Sequence, residues 1–287
     1  MNCSRKLTLA RFILLLSITF LAAPLWGQKQ VEAQKFLTLW AGMLPIILSA
    51  PHGGRQPIPG VLARRGIGVA QFTTERDSNT DELAQKIAAQ LLQKLGSRPF
   101  LIVALFERKY VDANRPSDGG AYESATGKAY YDAYHQALER ACEQVRGDWG
   151  RGLLLDLHGQ GAEVETIFRG TDNGKSVTEL ERRFGREALT GEKSILGQLE
   201  RRGYKIVPAL TGNDGEHRYT GGYTTRTYGS HRASGIDAIQ LEFGTSLRAR
   251  ANLERTATDV ADAILVFAQA YLPFKRLSAD APASAQP

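Results

Sequence analysis

GLLLDLHG, residues 152–159, sets four leucines around a single aspartate and closes on a His-Gly turn. A continuous apolar run of this length, bounded by a turn, reads as a strand buried on both faces. Comparable runs lie on either side of it: LPIILSA (44–50), ending in Pro51-His52-Gly53-Gly54; FLIVALF (100–106), followed by the polar loop ERKYVDANRPSDGG; YKIVPAL (204–210); and DAIQLEF (237–243). ETIFRG (165–170) is a further strand candidate within a mixed stretch, 162–203, that also carries helical pieces near 178–201. Amphipathic helices alternate with these strands. Leu83, Ile87, Leu91 and Leu95 give helical spacing over 81–95, with Thr80 as the expected N-cap and Gly96 as the stop. Tyr131, Tyr134, Leu138, Ala141 and Val145 predict a helix over 124–146; Leu253, Val260, Ile264, Phe267 and Tyr271 predict one over 251–271. The alternation predicts an α/β fold, a three-layer sandwich around a mixed, largely parallel central sheet. Ligand sites in such sheets form outside the carboxyl ends of the strands. His52, the loop after Phe106 and His158 all follow strand-like runs.

The chain has 287 residues, 43% apolar and 23% charged, which excludes a disordered chain, a collagen and a coiled coil. Its formal charge is +6. Residues 1–27 have a basic start, an apolar run from Phe12 to about Ala23, then small and turn-forming residues, the layout of a secretory signal peptide. The apolar run is short of the roughly 20 residues that span a bilayer, so no stable membrane span is expected after signal removal, and the expected location is periplasmic or secreted. The segment holds three basic and no acidic residues, so its loss lowers the charge from +6 to +3. With the remaining charges interspersed, nucleic-acid binding is not expected. Only Cys142 would then remain, which excludes an intramolecular disulfide and a thiolate zinc site. The chain thus divides into a signal peptide at 1–27, a single domain at 28–277 and a small-residue tail at 278–287 expected to be disordered.

Any metal must therefore be held by histidines and carboxylates. His52 and His158 each stand at a His-Gly turn after a buried strand, and a parallel sheet brings strand ends together. Glu75, Asp77 and Asp81 precede or open the helix at 81–95. Helix-dipole complementarity accounts for Asp81, but less well for Glu75 and Asp77, which lie before the cap. Two histidines and one carboxylate with an open fourth position form a usual protein set for catalytic zinc. Asp156 shares the strand face of His158 and is placed to support it. Glu242 lies between Leu241 and Phe243, where a carboxylate is costly unless paired or coordinated; it reads either as a buried salt bridge or as a general base beside a metal-activated water. Arg115 in DANRP and Arg226 in GGYTTRTYG suit capture of a substrate carboxylate, or are loop arginines. RGTDNGKS (169–176) fails as a phosphate loop, because Gly170 and Gly174 enclose three residues where four are required. Neither G-x-S-x-G nor H-E-x-x-H occurs.

SAPHGG, RDSNTDELA, KYVDANRP, LLLDLHGQG, GGYTTRTYG and AIQLEFGTSLR, in this order over roughly 49–250, resemble the N-formylglutamate amidohydrolase family. The resemblance implies a zinc carboxypeptidase-like fold, with Zn²⁺ held by His52, His158 and an acidic residue that aligns best at Asp77, with Glu75 as the alternative. It implies Glu242 as general base, and Asn114 with Arg115 as the pair gripping a substrate carboxylate. Arg115 is thus a candidate for both catalysis and binding, and Arg226 a second binding candidate. The expected reaction is amide hydrolysis of a carboxylate-bearing N-acyl amino acid or short peptide. An export signal departs from the family's cytoplasmic role, so a cell-wall or γ-glutamyl peptide amidase of the same chemistry is a second expectation. A non-catalytic protein binding an acidic ligand is the alternative of another class.

Overall fold

A computed structural model describes residues 31–274 except Asn213. The expected signal segment and tail lie outside the described residues. Seven strands form one sheet: β1 (Leu37–Trp40), β2 (Ile46–Ala50), β3 (Phe100–Ala104), β4 (Leu153–Gln160), β5 (Thr166–Gly170), β6 (Lys205–Val207) and β7 (Asp237–Gly244), in the spatial order β1-β3-β2-β4-β7-β5-β6. The four central strands β3, β2, β4 and β7 are parallel. β1 is antiparallel to β3, and β5 runs antiparallel to β7 with β6 parallel to it. The sheet is therefore mixed and largely parallel at its centre, as expected.

The helices are α1 (Thr80–Leu95), α2 (Ala125–Trp149), α3 (Thr178–Phe184), α4 (Glu187–Thr190), α5 (Ile195–Arg201), α6 (Tyr223–Tyr228) and α7 (Leu253–Tyr271). Strand alternation sends Leu48, Leu155, Leu157, Leu241 and Phe243 to one face, where they pack with Leu83, Ile87 and Leu91 of α1 and Val260, Ile264 and Phe267 of α7. The other face carries Ile47, Leu154 and Ala238 against Tyr134, Leu138 and Val145 of α2. These helix layers on the two faces make the three-layer sandwich. Among the described residues no helix is long and apolar enough to cross a membrane.

Several boundaries differ from the sequence reading for identifiable reasons. β4 continues through His158 to Gln160, because β7 pairs with it as far as Gly244. β6 stops at Val207, since Pro208 has no N–H to extend the ladder. β1 and the short α6 were not anticipated. Thr80 is the first residue of α1 and Asn79 is its cap, in the left-handed region at φ 67°; asparagine tolerates that conformation better than most residues.

Candidate active site

The α2-side face of the sheet changes character along the strands. Ile47, Leu154 and Ala238 are apolar; two residues further on, Ser49, Asp156 and Gln240 stand in register, and one step beyond, His158 pairs with Glu242. Residues in register share a face, so the polar groups gather at the carboxyl ends of β2, β4 and β7. His52 reaches the same place from the turn after β2. That turn needs its glycines: a Cβ on Gly53 would lie 2.3 Å from the backbone nitrogen of Asp81, and one on Gly54 would lie 2.3 Å from the backbone of Leu105.

His52, Asp77 and His158 are all buried, and one ligand atom of each lies within 4.8 Å of the others. Asp77 Oδ2 is 3.1 Å from His158 Nδ1 and 3.4 Å from His52 Nδ1. Two ligands about 2.0–2.1 Å from a tetrahedral ion would stand roughly 3.3 Å apart. Each imidazole is oriented from behind. His52 Nε2 donates to Asp112 Oδ1 (2.7 Å), and His158 Nε2 donates to Asp156 Oδ2 (2.8 Å), whose other oxygen accepts from Ser49 Oγ (2.6 Å). In the neutral rings, with the Nε2 protons so used, each Nδ1 turns a lone pair to the common centre. This carboxylate–histidine arrangement is the usual support of a metal-ligating imidazole. His52 Nδ1 is buried and makes no hydrogen bond. An orphaned ring nitrogen beside a carboxylate and a second imidazole fits a divalent cation, and the all-N/O donor set suits zinc.

Asp77 is fixed by the Gly159 N–H (3.1 Å), while its own N–H donates to the His52 carbonyl (3.1 Å). Burial opposes its ionisation, but the two imidazoles outweigh this and hold its carboxyl well below the usual range. Burial likewise opposes charge on His158, yet Asp156 and Asp77 hold that ring well above its ordinary value. Glu75 is exposed, so it is Asp77 that joins the histidines. Glu242 forms no ion pair among the described residues; Gln240 Nε2 donates to its Oε1 (2.9 Å). Burial pushes its carboxyl up to about 7, His158 opposing and Asp77 adding to the shift.

Asn114 lies against the centre: its Nδ2 is 3.1 Å from His158 Nε2 and 3.4 Å from Gln240 Oε1, and its Oδ1 accepts from the Thr224 N–H (2.8 Å). Arg115 stands one layer out. Its Nε donates to Asp112 Oδ2 (3.2 Å) and its terminal nitrogens to the carbonyls of Ala70 and Gln71. Arg226 is exposed on α6, with Thr220 Oγ1 at 3.2 Å and Asp172 at 3.7 Å, and none of these partners belongs to the cluster.

Three residues escaped the sequence reading. Asp112, fully buried, collects His52, Arg108 Nε (2.9 Å), Arg115 and the Asn114 N–H. Burial opposes its charge, but His52 and Arg108 hold it well below the usual range. Arg108 also brings a terminal nitrogen within 3.6 Å of Asp77 Oδ1. Arg248 ties Ser78 to the strand ends, donating to the carbonyls of Ser78, Phe243 and Gln160. A spacing signal existed for Arg108 and Asp112, which share the ERKYVDANRP loop with Asn114; nothing local marks Arg248. The rejected phosphate loop has its own explanation. Its backbone cradles Glu216, whose Oε2 accepts from the N–H groups of Thr171 (2.7 Å) and Asn173 (2.9 Å).

The family model for N-formylglutamate amidohydrolase matches residues 121–248, a range that holds His158, Arg226 and Glu242. An N-formylglutamate deformylase from Pseudomonas putida is 27% identical over 251 residues, 74% of this chain and 84% of the relative. That from Pseudomonas aeruginosa is 25% identical over 245 residues, 72% and 82% respectively. The chain is thus similar to the N-formylglutamate amidohydrolase family in sequence. The crystal structure of an N-formylglutamate amidohydrolase from Ralstonia eutropha JMP134 shares the fold, with a TM-score of 0.57 at 18% identity, covering 82% of this chain and 97% of that one. The likeness to these amidohydrolases is joined in the structure by a buried His-Asp-His group able to hold a metal ion.

Proposed function

We propose that the chain hydrolyses the amide bond of a carboxylate-bearing N-acyl amino acid, N-formylglutamate-like, or of a short peptide, at the centre formed by His52, Asp77 and His158. The observation that supports this most is the buried Nδ1 of His52, aimed by Asp112 at a carboxylate and a second imidazole and left without a hydrogen bond. Bound there, Zn²⁺ would supply Lewis-acid activation of water and of the amide carbonyl. Glu242 takes the proton of the attacking water and passes it to the departing nitrogen; a carboxyl raised toward neutrality by burial suits both transfers. Arg108, beside Asp77, offers N–H donors to the negative oxygen that develops as the carbonyl is attacked. Asn114 and Arg115 orient the substrate carboxylate. Arg115 engages three of its contacts through Asp112 and two loop carbonyls, and a guanidinium has five N–H groups to give.

The test measures zinc content and hydrolysis of N-formylglutamate and γ-glutamyl peptides by wild type, His158→Ala and Glu242→Gln. His158→Ala should lose both metal and turnover. Glu242→Gln should retain zinc and lose about 10²–10⁴-fold in kcat; full turnover in that variant would overturn the mechanism.

A further inference from the structure

β5 presents Phe168 to Glu242, so the next residue, Arg169, points to the opposite face beside Leu241. There it lines a cavity of about 320 Å³ between the 169–176 loop, α3, α4 and the segment from Asp214. Arg169 is 5% exposed. Its Nε donates to Glu216 Oε1 (2.8 Å), but its Nη1 is buried and has no partner. Leaving a buried polar group unpaired is costly, and more so for a charged one. Glu216 is already committed elsewhere: besides Arg169 Nε it takes two backbone N–H groups and the Thr171 hydroxyl (2.6 Å). The guanidinium therefore keeps unused donor capacity at the cavity wall.

The rim adds charges of both signs. Arg186 is a second cation, and among the described residues its side chain donates to the Gly212 carbonyl at 3.4 Å. Glu181 and Asp214 are anions lining the same space. Among the described residues none of these three forms an ion pair, although they share one cavity. A bare phosphate would meet two carboxylates, and a diamine would meet two guanidinium groups. A molecule with one carboxylate and one ammonium satisfies both sets. The volume falls at the low end of the range for small-molecule pockets, roughly 300–1,000 Å³.

We propose that this cavity is a second ligand site, separate from the His-Asp-His centre, that takes a free α-amino acid, its carboxylate on the Arg169 and Arg186 guanidinium groups and its ammonium on Glu181 and Asp214. The test is equilibrium binding of glycine, L-glutamate, succinate and ethylenediamine to the full chain and to Arg186→Gln, Glu181→Gln and His158→Ala, each checked for fold by circular dichroism. One equivalent of glycine or L-glutamate should bind to wild type and equally to folded His158→Ala. Arg186→Gln and Glu181→Gln should each weaken it about tenfold or more, and the two single-sign probes should bind at least about tenfold less tightly. The proposal is overturned if neither amino acid binds at about 10 mM, if binding is lost in folded His158→Ala, or if both rim variants bind as wild type does. It is equally overturned if succinate or ethylenediamine binds as tightly as the amino acids, or if a glycine-soaked crystal shows no ligand in the cavity.

Discussion

Replacing Asp156 by asparagine perturbs the proposed metal centre without touching a ligand. Asp156 is fully buried, and its two oxygens accept from His158 Nε2 at 2.8 Å and Ser49 Oγ at 2.6 Å. The amide has the same volume but only one acceptor end. If that end faces His158, the ring keeps its Nδ1 lone pair, and a charge-assisted bond becomes a neutral one of about half the strength. If the NH₂ end faces His158, the ring must carry its proton on Nδ1 and ceases to be a ligand. Outer partners of this kind are worth about 10–100-fold in metal affinity, or about 1.4–2.7 kcal/mol at 1.36 kcal/mol per decade. The assay is competition for zinc between the protein and a chromophoric chelator at fixed pH, with folding followed by circular dichroism. Ser49→Ala, which leaves the carboxylate in place, should shift affinity less than about threefold. A folded Asp156→Asn variant that binds zinc within about threefold of wild type would refute the reasoning that the Nε2 hydrogen bond sets the ligating nitrogen.

Other outcomes follow from features away from the centre. His135 is ringed by Tyr131, Tyr134, Tyr223 and Tyr228, and burial lowers its pKa from 6.5 to about 4. The unfolded chain takes up that proton first, so the contribution to stability is whole above pH 6.5 and is lost as pH falls toward 4. It amounts to at most about 3 kcal/mol, less for solvent screening of a half-buried ring. Urea unfolding between those pH values should show a shallower decline in His135→Gln. Gly54→Ala would place its methyl 2.3–2.4 Å from the backbone of Leu105 and Phe106. It should cost about 1–3 kcal/mol, read as a fall in melting temperature. Expressed in a Gram-negative host, the full chain should be recovered from the periplasm with its N-terminus after Ala23 or Gly27; recovery of intact Met1 protein from the cytoplasm would refute export.

His52, His158 and Glu242 were legible because each breaks a local rule: a histidine at a strand end beside glycine, and a carboxylate inside an apolar strand. Leu241 and Phe243 fall on the opposite face from Glu242, as strand alternation requires. Asp77 and Glu75 could not be separated in sequence, since what distinguishes them is the hydrogen bond of Asp77 to Gly159 across 82 residues. Arg248 was opaque for the same reason, its partners Ser78 and Gln160 lying far along the chain; Asp112 and Arg108 pair within their own loop, and only their reach to His52 and Asp77 was hidden. β1 is four residues long on a sheet edge with Leu39 exposed, so it carries little periodicity. α6 is a six-residue helix of tyrosine, threonine and arginine, with no strong helix former but Arg226, and is held instead by packing. The phosphate-like reading of 169–176 failed on spacing, and the structure adds that the amides there face an internal carboxylate.

The switch of one sheet face from leucine and isoleucine to imidazole and carboxylate has a consequence for how such a protein can change its diet. Of the proposed ion-holding groups, His158 stands on β4, His52 in the turn after β2 and Asp77 just ahead of α1. Residues 55–72 and 214–222 contribute none of them. Those surface segments could be recut, lengthened or exchanged to fit a different acyl amine while the hydrolytic machinery beneath stays in register.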